Sequence, residues 1–284
     1  MKRLFLKRLF AALSAFVLLA AAQPGAQPSI DGFAYARAPY RFVFPRDHAA
    51  HPAYRTEWWY YTGHVRAKDG RRFGYELTFF RFGLHPGDPA PRPGQSRWRG
   101  NQLFPAHFAI TDEAGQRFTY SEHIAREALG DGAASTAQLD VRSGTWSLHG
   151  TPLHDANLER MTLHAASGTN AIDFVQIPEK PPAIHGSGGI SRKSACPSCT
   201  SHYYSYTRLH TTGTLTYDGV PLAVDGISWM DHEYGSSELA ADQVGWDWFS
   251  LQLDDGREIM FYRLRQRDGS STPESSGSLI DRRG

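Results

Sequence analysis

Residues 56–82, TEWWYYTGHVRAKDGRRFGYELTFFRF, contain two aromatic-rich segments separated by a glycine-containing turn sequence. Aromatic and β-branched residues favour strands, and Asp69-Gly70 is typical of a two-residue hairpin turn. Such a turn assigns the side chains to two faces, one with Trp58, Tyr60, Leu77 and Phe79, and the other with Trp59, Tyr61, Val65, Phe80, Glu57 and Glu76. Because both faces are aromatic, we expect this hairpin to lie between a barrel interior and a second packed layer. An aromatic pocket there suits a large apolar ligand, and a closely packed aromatic core is the alternative.

The rest of the chain repeats this pattern of short strands and tight turns. Asp218-Gly219 and Asp255-Gly256 each separate two strand-like segments. After the first 22 residues, no segment shows a long 3.6-residue apolar period. These features predict an all-β fold, an antiparallel meander closed as a barrel or stacked as a sandwich. Two Pro/Gly-rich insertions, residues 85–100 and 178–199, interrupt the meander.

The overall charge and the N-terminal segment limit the classes of partner. The 284 residues carry 30 basic and 29 acidic side chains, a net charge of +1, so we expect no nucleic-acid partner. Residues 1–22 combine a basic start, a short apolar run and small residues, which predicts a cleaved signal peptide and a secreted or periplasmic protein. An uncleaved anchor is the alternative, but no stable membrane span is expected after cleavage. Residues 23–40 are interpreted as a leader into the fold.

The two cysteines, Cys196 and Cys199, lie in the sequence SACPSC within a Gly/Ser-rich loop. In an oxidising compartment a C-x-x-C pair can close on itself, and we expect a small loop disulfide. A redox role would require a βαβ setting that the surrounding sequence does not provide. A zinc site would require two further ligands at suitable spacing, and none is present locally.

The last hairpin, around Asp255-Gly256, predicts a buried carboxylate. A two-residue turn pairs Phe249 with Tyr262 and Asp247 with Leu264. Asp247 then lies on an apolar inner face, where burial raises the pKa of a carboxyl group. Asp247 is therefore a candidate acid, and a structural Asp hydrogen-bonded to neighbouring backbone is the alternative.

Residues 228–235, SWMDHEYG, form the densest group of side chains able to transfer protons. His232 titrates near neutral pH, Asp231 can orient it and Tyr234 can donate a hydrogen bond. A polar turn facing water is the alternative. The spacing excludes an H-E-x-x-H zinc motif because Ser236 occupies the second histidine position, and the chain has no G-x-S-x-G elbow.

Two further histidines, His48 and His51, precede Glu57 in the sequence. Neither a helix nor a hairpin would bring these three side chains to metal-binding geometry. We interpret both histidines as part of a solvated loop before the first strand, and we expect no metal and no cofactor.

Several long motifs resemble the AttH/carotenoid 1,2-hydratase-like family, whose members are often described as predicted secreted hydrolases. The matching segments are RTEWWYYTGHV, FGYELTFFRF, HYYSYTRL and WMDHEYGSS followed by GWDWFSLQLDDGREIMFYRLR. The resemblance runs from about Pro39 to Gly277. It implies two lipocalin-like antiparallel β-barrels packed together, with a ligand site near their junction. In this chain, residues 41–230 would form the first barrel and residues 231–284 the start of a second, incomplete barrel.

The resemblance also implies residue roles. In the carotenoid hydratases a D-H-N-W stretch corresponds to residues 231–234, and its histidine takes part in proton transfer, so Asp231 and His232 carry over. Glu233 and Tyr234 depart from that stretch. A Tyr-x-Asp pair of the hydratases aligns with Tyr262 and Leu264, where the carboxylate is missing.

The expected activity is hydration of an isolated C=C bond in a large apolar isoprenoid or lipid-like molecule by cofactor-free acid/base chemistry. A non-catalytic carrier of hydrophobic ligands and a secreted ester hydrolase are the alternatives, and the oligomeric state is left open. The candidate catalytic residues are Asp231, His232, Asp247 and Tyr234. The candidate ligand-binding residues are Trp59, Tyr61, Glu76, Trp246 and Tyr262.

Overall fold

The computed structural model describes residues 27–28, 31–87, 94, 96, 98–154, 158–236 and 239–284. The strands are β1 (Gln27–Pro28), β2 (Ala34–Tyr35), β3 (Thr56–Ala67), β4 (Arg72–Gly83), β5 (Gln102–Asp112), β6 (Arg117–Arg126), β7 (Gly132–Ala134), β8 (Asp140–Ser143), β9 (Trp146–Pro152), β10 (Glu159–Ser167), β11 (Asn170–Pro178), β12 (Ala183–Ile184), β13 (Ser191–Arg192), β14 (Thr200–Tyr217), β15 (Val220–Gly235), β16 (Gln243–Gln252), β17 (Glu258–Gln266) and β18 (Ser276–Ile280). Two single 3₁₀ turns, Arg46–His48 and Ala128–Gly130, accompany them. The predicted all-β class is confirmed.

Within the described ranges, no helix has the length and apolar character needed to cross a membrane. The signal peptide predicted for residues 1–22 lies outside the described residues and stays a prediction.

Most of the strands form one antiparallel sheet that curls into a nearly closed barrel. The strand order is β6-β5-β4-β3-β15-β14-β11-β10-β9-β8-β7, with β12 and β13 added to β14. The two ends of this sheet approach each other where the Ser143 hydroxyl on β8 donates to the Phe104 carbonyl on β5 at 2.6 Å. The inward side chains make one continuous apolar core, which includes Trp59, Tyr61, Leu77, Phe79, Phe108, Leu148, Met161, Leu163, Phe174, Tyr204 and Tyr206.

The β3–β4 hairpin has a three-residue loop, and the two-residue turn expected from the sequence is wrong. The Ala67 amide donates to the Arg71 carbonyl at 2.9 Å, and Gly70 adopts a φ of +91°, which a glycine tolerates without strain. The loop length moves the register by one residue, so Trp58 pairs with Phe80. A shift of one residue exchanges faces along a whole strand. Trp59, Tyr61, Leu77 and Phe79 therefore point into the barrel, and Trp58, Tyr60, Glu76, Thr78 and Phe80 point out of it.

The last three strands, β16-β17-β18, form a separate sheet. Its first hairpin shows the same shift, because the Leu253 amide donates to the Arg257 carbonyl at 2.9 Å around a three-residue loop. Trp248 consequently pairs with Tyr262, and Asp247 pairs with Arg263. The expectation that Asp247 lies on the buried face is wrong. Its side chain is 38% exposed, with the carboxylate 3.4 Å from the Arg265 guanidinium.

Buried ion pairs fasten this sheet to the barrel. Glu258 at the start of β17 is fully buried, and its carboxylate lies 2.6 Å from the Lys180 ammonium and 2.7 Å from the Arg208 guanidinium. Lys180 also donates to the Gly256 and Asp281 carbonyls. The second Pro/Gly-rich insertion therefore supplies a cation that holds the small sheet in place.

The chain passes from one sheet to the other after residue 235. Strand β15 continues in the barrel to Gly235, and β16 starts the small sheet at Gln243. The division expected at residues 230 and 231 therefore falls inside a barrel strand. Part of the expected leader is also in the fold, because Ala34 and Ala36 are buried with Tyr54 and Tyr234.

Candidate functional site

A cavity of about 520 Å³ lies between the outer face of β3, β4, β14 and β15 and the inner face of the small sheet. This volume is within the range that small-molecule sites occupy. Its aromatic wall consists of Trp58, Tyr60, Phe80, Phe82, Trp246, Trp248 and Tyr262. Its polar side chains are Thr56, Glu76, Thr78, His107, Lys193, Tyr203, Asp231 and Glu233. The cavity combines a large apolar surface with a few converging polar groups.

Asp231 is the most deeply placed carboxyl group of the cavity, at 4% exposure. The Trp229 indole donates to its Oδ1 at 2.6 Å, and the Ser205 hydroxyl donates to the same oxygen. The Tyr203 hydroxyl contacts its Oδ2 at 2.9 Å. Burial raises the pKa of Asp231 to about 7, although these hydrogen bonds oppose the shift. Asp231 can therefore hold or release a proton near neutral pH.

Glu76 is a second carboxyl group with the same property. Burial raises the pKa of Glu76 to about 7, and the hydrogen bond from the Thr78 hydroxyl lowers it only in part. Asp231 pairs across the sheet with Tyr60, which in turn pairs with Thr78. Two strand spacings thus separate Asp231 from the strand of Glu76, roughly 10 Å. The Tyr60 side chain lies on the same face between them, so a ligand that meets both carboxyl groups would lie over this ring.

A charged wall faces these groups. The Lys193 ammonium lies 2.7 Å from the Glu233 carboxylate and 4.3 Å from the centre of the Tyr262 ring. Cys196 and Cys199 are joined by a disulfide, and the Lys193 amide donates to the Cys199 carbonyl at 2.8 Å. The disulfide loop therefore holds the backbone of Lys193 at the cavity.

Only some of the residues selected from the sequence meet in this cavity. Asp231, Glu76, Trp246 and Tyr262 line it. Asp247 does not, because of the register described above. His232, Tyr234, Trp59 and Tyr61 point to the other side of their strands, since side chains alternate along a strand. Asp231 and His232 therefore lie in different sites, and they do not form the proton shuttle that the sequence predicted.

His232 belongs to a buried network inside the end of the barrel. Its Nε2 lies 2.8 Å from Glu57 Oε1, and its Nδ1 lies 3.0 Å from the Tyr204 hydroxyl. That hydroxyl also contacts His48 Nδ1 at 2.6 Å. The interpretation of His48 and His51 as a solvated loop is wrong, because His48 is fully buried and the His51 side chain is 16% exposed.

His51, Glu57 and His232 also bring ligand-type atoms within 4.8 Å of one another. Glu57 Oε1 already accepts from both histidine rings at 2.8 Å, and Oε2 accepts from the Arg81 guanidinium at 2.7 Å. Burial opposes ionisation of Glu57, but the Arg81 charge and the hydrogen bond with His232 keep its pKa well below its usual range. A divalent metal ion would have to bind beside this guanidinium. The arrangement fits a closed ion-pair network better than a metal centre.

Sequence reasoning missed Tyr203, Lys193 and Trp248, which line the cavity. It also missed Ser205, which hydrogen-bonds to Asp231, and His185, which contacts Ser205. The pairing of β14 with β15 places Ser205 opposite Asp231 and Tyr203 opposite Glu233. Side chains alternate between the two faces along HYYSYTRL and along SWMDHEYG. Pairing these two alternating patterns is the signal that would have identified Ser205 and Tyr203.

Comparison with known proteins agrees with this architecture. A family model described as AttH-like matches residues 35–284. The crystal structure of an AttH protein from Nitrosomonas europaea is 28% identical, with a TM-score of 0.74 over 87% of this chain and 74% of that one. Comparison with curated protein sequences returned no match.

Two more distant structures share the fold. Kievitone hydratase from Nectria haematococca is 12% identical, with a TM-score of 0.56 over 90% of this chain and 72% of that one. CghA, solved with Sch210972, is also 12% identical, with a TM-score of 0.50 over 87% of this chain and 65% of that one. Because the AttH-like model spans most of the chain, the resemblance seen in the sequence is confirmed, and the protein belongs to the AttH-like family.

Proposed function

We propose that this AttH-like protein binds a large, mostly apolar molecule in the cavity between its two sheets and adds water across a C=C bond of that molecule. The observation that carries the proposal is the pair of carboxyl groups, Asp231 and Glu76, both with a pKa near 7 in an aromatic cavity. Kievitone hydratase shares this fold, and a hydratase-type reaction is proposed by that analogy, with the two carboxyl groups of the site as the physical argument.

The two carboxyl groups divide the reaction between an acid and a base. On the acid side, the proton held by Asp231 is delivered to one alkene carbon, so that an O–H bond breaks and a C–H bond forms. The neighbouring carbon becomes cationic, and the π faces of Tyr60 and Trp248 stabilise it. Water forms the C–O bond to this carbon and loses one of its two protons to the Glu76 carboxylate. Asp231 is left ionised and Glu76 protonated, and exchange with solvent restores both.

The cavity favours an isoprenoid or lipid-like ligand. Eight Phe, Tyr and Trp side chains line it, whereas its charged groups include Asp231, Glu76 and Lys193. Such a wall binds extended hydrocarbon through area burial and places one polar or unsaturated part of the ligand near the carboxyl groups.

The proposed place of this reaction is outside the cytoplasm. The features of residues 1–22 are those of a signal peptide, and the disulfide between Cys196 and Cys199 suits an oxidising compartment.

The test is incubation of the purified protein with a panel of isoprenoid and lipid alkenes in ¹⁸O-labelled water. Mass spectrometry should detect an alcohol carrying the label, and Asp231→Asn and Glu76→Gln should each slow its formation by about 10²-fold or more. Asp247→Asn, an exposed carboxylate on the small sheet, should form it at the wild-type rate. Tight binding without a labelled product would instead identify a carrier.

A further inference from the structure

A directed chain of hydrogen bonds ends at the cavity. His185 is buried, and its Nδ1 and Nε2 lie 2.9 Å from the Ser278 hydroxyl and 2.7 Å from the Ser205 hydroxyl. Ser205 donates to Asp231 Oδ1, and Asp231 Oδ2 contacts the Tyr203 hydroxyl at 2.9 Å. Four consecutive groups, His185, Ser205, Asp231 and Tyr203, are therefore linked.

The first links have one consistent direction. Because the Ser205 proton points to Asp231, the serine oxygen accepts, and His185 Nε2 carries the proton that it accepts. His185 Nδ1 then accepts from Ser278. Burial lowers the pKa of His185 to about 3, so the ring stays neutral and keeps this tautomer at physiological pH.

This direction decides which oxygen of Asp231 can carry a proton. Oδ1 accepts two hydrogen bonds, from Ser205 and from the Trp229 indole at 2.6 Å. A proton on Oδ1 would face two donors. The proton of neutral Asp231 therefore lies on Oδ2 and points at the oxygen of Tyr203.

The same reasoning fixes the hydroxyl of Tyr203. The Trp248 indole donates to the Tyr203 oxygen at 3.0 Å. When Asp231 is protonated, the tyrosine oxygen accepts two hydrogen bonds, and its own proton must turn away from both donors, into the cavity that Tyr203 lines. When Asp231 is ionised, the proton turns back to the carboxylate.

We infer that Tyr203 is the group that touches the ligand and passes it a proton, that Asp231 replaces this proton, and that His185 and Ser205 are positioning residues that set its direction. The inference rests on the proposed function and names the atom that delivers the proton.

Two O–H bonds take part in the proton transfer, one on Tyr203 and one on Asp231. The Tyr203 O–H bond breaks as a C–H bond forms on the ligand, and the proton on Asp231 Oδ2 moves to the tyrosine oxygen. Asp231 is left ionised and Tyr203 neutral. Burial raises the pKa of Tyr203 well above its usual range, so a free tyrosinate is unfavourable and the two movements must be coupled.

Other polar groups surround this pair, and one of them titrates in the same range. The facing groups are Glu233 on β15, Lys193 after β13, His185 after β12, Glu76 on β4, Tyr60 on β3 and Tyr262 on β17. Glu233 is ion-paired with Lys193, and His185 is neutral. Glu76 has a pKa near that of Asp231, so a Glu76→Gln background isolates Asp231.

The indoles of Trp229 and Trp248 report the proton relay from Asp231 to Tyr203 without any ligand. In ¹⁵N-Trp-labelled Glu76→Gln protein, the Nε1 resonances of Trp229 and Trp248 should shift with one common midpoint near pH 7. Adding Tyr203→Phe should remove the shift of Trp248 and keep that of Trp229. Adding Asp231→Asn should remove both. A Trp248 resonance that stays constant while Trp229 titrates, or that still titrates in Tyr203→Phe, would overturn the inference.

Turnover separates the relay from the proposed function. In the wild-type background, Tyr203→Phe should lower kcat by about 10²-fold with little change in KM. His185→Asn should weaken the pH dependence of kcat. Turnover that is unchanged in Tyr203→Phe would refute Tyr203 as the donor while leaving the proposed hydration standing. Coupled indole titrations with no hydration of any alkene would refute the proposed function and support the relay.

Discussion

Asp231 and His232 are consecutive residues of β15 with opposite environments. Asp231 faces the cavity and contacts the Tyr203 hydroxyl at 2.9 Å, whereas His232 faces the barrel interior and lies 2.8 Å from Glu57. The relationship follows from strand geometry alone. Only Asp231 of the two lines the cavity, whereas His232 supports the barrel.

The stability of the fold should depend on the charge of Asp231. Folding raises its pKa to about 7, so the folded state binds this proton more tightly than the unfolded chain does. The resulting stability is complete below pH 4 and is lost as the pH rises to 7. Between pH 5 and pH 8 the wild type should lose on the order of 2 kcal/mol that Asp231→Asn keeps. Urea unfolding at both pH values measures this, with Asp247→Asn as a control that should follow the wild type.

The pH profile of turnover should be a narrow bell centred near pH 7. The reaction needs Asp231 protonated and Glu76 ionised, and both groups have a pKa near 7. The rate should therefore fall above pH 7 as Asp231 loses its proton, and below pH 7 as Glu76 gains one. Initial rates from pH 5 to pH 9 test this. A flat basic limb would show that Asp231 is not the acid.

His232 should matter for folding and not for the cavity. Glu57→Gln removes the anion that pairs with Arg81 and contacts His232, and it should cost about 3–5 kcal/mol of unfolding free energy. His232→Ala should be destabilising in the same direction, because it opens a cavity beside Trp59. The dissociation constant of a hydrophobic fluorescent probe should change less than threefold in both. Loss of probe binding by still-folded His232→Ala would contradict this assignment.

The small sheet, β16–β18, should lose local stability when the Glu258 carboxylate that holds it is removed. Glu258→Gln leaves Lys180 and Arg208 without their buried anion, and a cost of about 3–5 kcal/mol is expected. Hydrogen exchange should rise in β16–β18 more than in the barrel. Asp255→Asn, which breaks an exposed pair with Arg257, is the matched control and should change little.

The sequence predicted the strands well because their signal is local. Aromatic segments bounded by Asp-Gly turns identify β3, β4, β16 and β17 from the sequence alone. The matching of faces between the two strands of each hairpin was predicted wrongly, because each loop has one residue more than the expected turn. The additional residue has no side-chain signature of its own, since Asp-Gly occurs in both two-residue and three-residue loops.

The site was predicted in part for a related reason. Asp231 and Glu76 stood out as polar residues among aromatic ones. Tyr203, Ser205 and His185 did not, because their roles depend on pairing between segments that are far apart in the chain. A hydrogen bond between residues 26 or 28 positions apart, as for Ser205 and Tyr203 with Asp231, has no local pattern.

The two faces of β15 separate two kinds of substitution. A change at Asp231 or Glu233 alters the charge that the cavity presents to a ligand, because both side chains line it. His232 and Tyr234 are restrained by partners inside the barrel end. Substitutions at positions 231 and 233 should therefore act first on the cavity, and substitutions at positions 232 and 234 should act first on the end of the barrel.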